Sequence, residues 1–171
     1  MADQINLLQE VNQKYVIDAC SLLDFWGSLK NYRRVYDIDV ALFRKIWEHI
    51  AEQIVDGTII LPTVIHSEVD KTTVKEFHEW LLKHKDLCIN HDEATAELAE
   101  IVNKIPIYTT DKASLHDAIL VATAKHRNLI VITSERKSPT LNLNKPMVPN
   151  VCDELGVKWI SLPEYFIEEG L

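Results

Sequence analysis

The sequence predicts an α/β domain built on a mostly parallel central sheet flanked by helices. Three observations predict it. Four short β-rich runs, KYVID (14–18), TIILP (58–62), LIVIT (129–133) and VKWIS (157–161), are continuously apolar rather than alternating, as strands covered on both faces are. Helical patterns separate them, so strand and helix alternate along the chain. The 171 residues are 47% hydrophobic and 26% charged, with no low-complexity tract, which suits one globular core.

Taken in order, residues 1–13 read as a short extension or helix within a single domain spanning 1–171. From Asp39 to Val55, Phe43, Ile46, Trp47, Ile50 and Ile54 recur at spacings of three and four, and Gly57 is placed to end that helix. Thr73 and Glu76 form a capping box for TTVKEFHEWLLKH. A helix from about Asp92 to Val102 turns Leu98, Ile101 and Val102 inward. SLHDAILVATAKHRN is another, with Leu120, Val121 and Ala124 facing the core, and it feeds directly into LIVIT. VPNVCDELG is a short helix before the last strand.

Composition narrows the function. A net charge of −8 argues against holding nucleic acid by bulk charge, though not against a local basic patch. No apolar run is long enough to span a bilayer, and MADQINLLQEVNQKY lacks the features of an export signal, so no membrane and a cytoplasmic location are expected. Cys20, Cys88 and Cys152 form no CxxC pair and read as small buried hydrophobes in a reducing compartment. Four glycines leave no P-loop and no GxGxxG, and no GxSxG is present. His78 and His84 are six apart, unlike HExxH, and HSE (66–68) is followed by no PCxxC. The histidines therefore read as surface or capping residues, and Trp26, Trp47, Trp80 and Trp159 as core or interface aromatics.

The acids carry more. In open α/β sheets ligands bind beyond the carboxyl ends of the strands. Asp18 ends the first strand, Glu68 lies just past TIILP, Asp117 opens the DAILVATA helix, and Glu135 follows LIVIT by two residues. Asp18 and Asp117 stand out because each interrupts an apolar context. Four carboxylates converging at one sheet edge repel unless some are protonated or a cation bridges them. Oxygen-only ligands select hard cations such as Mg²⁺ or Mn²⁺. Asp24, Asp86, Asp92, Asp111 and Glu76 have ordinary capping or surface explanations.

YVIDACSLL, LPTVIHSEV, DAILVATA and LIVITSERK together resemble the PIN domain, a small metal-dependent ribonuclease fold found in the toxins of many bacterial toxin–antitoxin pairs. The tail VPNVCDELGVKWISLPEYF resembles a stand-alone bacterial PIN subfamily. The resemblance implies a single PIN-like domain in which Asp18, Glu68 and Asp117 hold Mg²⁺ or Mn²⁺. Glu135 completes the cluster directly or through water, and RNA is cleaved to a 5′-phosphate and a 3′-hydroxyl. Where the family commonly has Thr or Ser and then Asn or Ser after the first acid, this chain has Ala19 and Cys20. Ser21 offers a supporting hydroxyl one residue later, and Glu135 stands where Asp is usual.

KNYRRVY (30–36) places Lys30, Arg33 and Arg34 among Tyr32 and Tyr36, a pattern suited both to RNA contact and to a solvated loop. Lys125, His126, Arg127, Arg136 and Lys137 read as ordinary helix-end and loop charges. The expected function is an Mg²⁺- or Mn²⁺-dependent endoribonuclease, the toxin of a toxin–antitoxin pair. RNA is its substrate, an antitoxin its protein partner, and homodimerisation is common among the relatives. The competing reading is a PIN-like module that binds RNA or protein without efficient cleavage. A receiver or a haloacid-dehalogenase-like phosphatase fits less well, since DACS supplies neither adjacent acids nor DxD.

Overall fold

Tyr15, Val16 and Ile17 have no solvent exposure, and the strand they form lies inside a parallel sheet. A computed structural model of the chain describes residues 13–27, 40–69, 75–90, 92–104, 114–139 and 147–171. The expectations for residues 1–12, Lys30, Tyr32, Arg33, Arg34, Thr73 and Asp111 lie outside the described residues, as do the side chains of Asp24, Trp26 and Glu68.

The described strands are β1 (Tyr15–Ile17), β2 (Ile59–Ile60), β3 (Ile130–Thr133) and β4 (Trp159–Ser161), in the order β2-β1-β3-β4. Every pairing is parallel: Val16 faces Ile60 on one side and Val131 on the other, and Thr133 faces Ser161. All four expected strands are present in shorter form. The helices are α1 (Ala19–Gly27), α2 (Val40–Asp56), α3 (Thr63–Val69), α4 (Lys75–Lys83), α5 (Glu93–Lys104), α6 (Ser114–Arg127), α7 (Val148–Leu155) and α8 (Leu162–Glu168). The α/β class read from the sequence is the class observed.

The long helices follow their apolar spacing. In α2, Phe43, Ile46, Trp47, Ile50 and Ile54 are buried, and Gly57, at φ 86°, turns the chain toward β2. The middle of α6 is buried nearly all round, from Ala118 to Ala124, where it packs against β1, β3, α5 and α7. It ends at Asn128 in the left-handed region (φ 54°), with Leu129 N donating to Ala124 O at 2.8 Å. Phe25, Phe43, Trp47, Phe77 and Trp80 join α1, α2 and α4 in one aromatic cluster, with Trp47 edge-on to Trp80 at 5.1 Å.

Several details depart from the sequence reading. In α5 the inward face is Thr95, Ala99 and Val102, so Ile101 is exposed instead of buried. Cys20 is exposed and Cys88 half-buried, and only Cys152 fits the buried-hydrophobe reading. His66 is buried, not superficial, and its Nε2 has no hydrogen-bond partner among the described residues. Helices α1, α3 and α8 were not singled out by the sequence. The last begins with a capping box in which Glu164 N donates to Ser161 Oγ and Ser161 N donates to Glu164 Oε2.

A polar network closes the amino end of β1. Glu169 accepts from the Tyr15 hydroxyl (2.8 Å), Gln53 Nε2 (2.7 Å) and Lys14 Nζ (3.1 Å), and the buried Tyr165 hydroxyl donates to Gln53 Oε1 (2.8 Å). Burial raises the Glu169 carboxyl, but these donors outweigh it and bring it down to about 2. The end of the chain is thereby tied to β1 and α2.

Candidate metal centre at the carboxyl edge of the sheet

The strand order makes the crevice between β1 and β3 a topological switch point. The connection leaving β1 leads outward to β2, and the one leaving β3 leads the other way to β4. Asp18 and Glu135 both lie at that edge.

Asp18 is 3% exposed and serves as the amino-terminal cap of α1. Its Oδ1 accepts from Ser21 N at 2.5 Å, and its Oδ2 accepts from Thr133 Oγ1 at 2.5 Å. Its own N–H donates to Ile132 O at 3.1 Å, which fixes the turn out of β1. Burial pushes the carboxyl up; hydrogen bonds from Ser21 and Thr133 oppose this and the charge of Glu135 adds to it, leaving it at about 6. A buried carboxylate so placed is short of positive charge.

The Thr133 hydroxyl also accepts from Glu135 N at 3.1 Å. Ser134 Oγ donates to Ser21 Oγ (3.3 Å), and Ser21 Oγ lies 3.5 Å from Ile132 O. The hydroxyl support expected of Ser21 is thus one part of a cluster with Thr133 and Ser134. Glu135 Oε2 accepts from Val148 N, the first residue of α7, at 2.6 Å. The buried Cys152 thiol of α7 is pushed up to about 12 by burial, then by the charges of Asp153, Asp18 and Glu135. The α7 helix therefore walls the same crevice.

Asp117 lies half-buried in the first turn of α6, where the helix dipole favours a carboxylate. Glu68 lies in α3, and its side chain is outside the described residues. α3 packs against both α1 and α6, and α6 packs against β1, so the elements bearing the first three acids are neighbours. Among the described residues no three His, Cys, Asp or Glu side chains form a group that holds a metal. Asp18 and Glu135 sense one another's charge; a third carboxylate is not gathered to them among those residues.

Four members of the group of basic residues at 125–127 and 136–137 make structural contacts. Lys125 Nζ donates to Leu155 O (2.6 Å), Arg127 to Gln13 (3.1 Å), His126 pairs with Asp92 (3.5 Å) and Lys137 with Asp153.

The family model described as a domain of unknown function, DUF4411, matches residues 15–171, from β1 to the end of α8. The chain belongs to the DUF4411 family. No curated protein matches it. The DUF4411 match begins with the strand that leads into Asp18 and takes in the whole hydroxyl-and-carboxylate crevice. Sequence reasoning missed Thr133 here, although the signal was present. Thr133 is a polar residue closing an apolar strand, the same signature that singled out Asp18.

Proposed function

We propose that this DUF4411 chain is a metal-dependent endoribonuclease of PIN-like design, acting as the toxin of a toxin–antitoxin pair in the cytoplasm. The observation that carries the reading is Asp18: a buried acid at the switch point, its carboxyl raised, beside a second acid just past the end of the neighbouring strand. An oxygen-only donor set of this kind fits a hard divalent cation. Asp18, Glu68 and Asp117 would hold Mg²⁺ or Mn²⁺. When bound, such an ion lowers the pKa of water and offsets charge on phosphate oxygens. Ser21 N and Thr133 Oγ1 orient Asp18 for that role, and the walls of α1 and α7 keep the carboxyl from bulk water. RNA contacts from Lys30, Tyr32, Arg33 and Arg34, an antitoxin partner and a homodimer belong to the same proposal.

A second reading has its own support. Capping accounts for contacts of both Asp18 and Glu135, as expected if the fold were retained as an RNA- or protein-binding module without efficient cleavage. Cleavage of labelled RNA by purified protein with Mn²⁺, beside Asp117→Asn prepared identically, separates the two. Discrete cleavage abolished by the substitution and by chelation supports the nuclease. No cleavage over several RNAs with both metals, from protein free of copurified inhibitor, sinks it in favour of the binding module.

A further inference from the structure

We propose that Glu135 is a positioning residue: it pins the amino end of α7 to the end of β3 and, through Thr133, sets the orientation of Asp18, instead of holding a cation itself. The argument begins with the start of α7. Met147 precedes that helix and makes no side-chain cap, so an N–H of the first turn needs an acceptor from elsewhere. Glu135 supplies it, with Oε2 2.6 Å from Val148 N. A carboxylate there also complements the helix dipole.

The strand exit is bound to α7 in other ways. Ser138 N donates to Asn150 Oδ1 at 2.9 Å, Asn150 Nδ2 returns a bond to Ser138 O at 3.0 Å, and Lys137 pairs with Asp153. Residues 135–138 are held against α7 at three points, and Glu135 is the one nearest Asp18 in the hydrogen-bond chain.

That chain has a direction. Glu135 N donates to Thr133 Oγ1 and occupies one of its lone pairs. The hydroxyl proton then points to Asp18 Oδ2. Shifting the backbone at 135 frees the hydroxyl to rotate, and Asp18 loses the donor that fixes one of its oxygens. Glu135 thereby links the start of α7 to the start of α1 across the crevice. Its extra methylene over Asp supplies reach to a helix that begins 13 residues later.

The test compares Glu135→Gln, whose amide oxygen still accepts from Val148 N, with Glu135→Ala, which cannot. In metal-free protein, Glu135→Ala should lower the melting temperature by about 3–6 °C and Glu135→Gln by less than half of that. The ¹³C shift of the Asp18 carboxyl, at fixed pH, should move in the Ala variant and stay near wild type in the Gln variant. Equal losses in both variants, or an unmoved Asp18 signal in Glu135→Ala, would overturn the proposal. A third readout, Mn²⁺ affinity, rests on the metal-dependent reading: about tenfold weaker in Glu135→Ala and within about threefold of wild type in Glu135→Gln. Equal weakening in both would make Glu135 a cation ligand and overturn the proposal. If wild type binds no Mn²⁺, the metal reading fails, and the first two readouts decide the role of Glu135 alone.

Discussion

The Thr133 hydroxyl reaches from the end of β3 to Asp18 at the end of β1, 2.5 Å from Oδ2, while accepting from Glu135 N on its other side. One side chain thus joins the two central strands at the edge where ligands of open α/β sheets bind. Thr133→Val keeps the shape and removes both bonds. It leaves Asp18 Oδ2 and Glu135 N each short of a partner in a buried setting, so urea unfolding should show a loss of about 2–3 kcal/mol. A loss below about 0.5 kcal/mol would mean that the hydroxyl does not carry this link.

Asp18 should give stability an unusual pH dependence. Its folded carboxyl sits at about 6 because burial outweighs the bonds from Ser21 and Thr133, against an ordinary value of 3.8. The fold therefore holds this proton more tightly than the unfolded chain does. The contribution is fully present below about pH 3.8 and is lost as pH rises through about 6. Relative to Asp18→Asn, metal-free wild type should lose about 2 kcal/mol between pH 4 and pH 7. Parallel stability curves for the two proteins would refute this. A bound divalent cation reverses the trend, so stabilisation by Mn²⁺ should grow over the same interval.

The opposite end of β1 should behave in the opposite sense. Glu169 is held at about 2, its donors Tyr15, Lys14 and Gln53 outweighing burial. Its contribution is present above about pH 4.5 and is lost as pH falls through about 2. Glu169→Gln should cost about 2 kcal/mol at pH 7, and the gap from wild type should close in acid. Urea titrations at pH 7, 4 and 3 measure it, and a gap that widens in acid would contradict the network.

His66 offers a test of a different kind. Its Nε2 is buried without a hydrogen-bond partner among the described residues, a condition that costs about 1–3 kcal/mol. His66→Leu removes the stranded nitrogen with little change of volume and should leave the melting temperature unchanged or raise it. A marked fall would show that a group beyond the described residues meets that nitrogen in solution.

The strands, α2 and α6 were legible because each buries an uninterrupted apolar run or stripe. Helix α1 was not. Its nine residues are too few to establish a period, and its start signal, Asp18, invited a reading as a site acid when it is also a cap. The capping box of α8 was present as Ser161, Pro163 and Glu164, but Ser161 also closes β4, and the run VKWIS showed only that strand role. Ile101 was misplaced because α5 is rotated to bury Thr95, Ala99 and Val102, a choice made by its partner α6. The link from Glu135 to Val148 has no local signature, since tertiary placement alone brings an acid to a helix that starts so far downstream. Asp18 was legible as a buried anomaly and Thr133 carried the same signature, but the bond between them could be read only once β1 and β3 were known to be neighbours.

The strand order also governs when the molecule can be finished. β1 is made first, yet its partner β3 arrives late: the Thr133–Asp18 bond spans 115 positions and the Tyr15–Glu169 bond 154. Such distant pairings close large loops before they return any contact energy, which slows folding and sets its order. On a translating ribosome Asp18 therefore waits without its Thr133 partner until β3 has been made. Completion of the crevice is coupled to the synthesis of β3, and a chain cut short before β3 carries the acid without the surroundings that give it an unusual proton affinity.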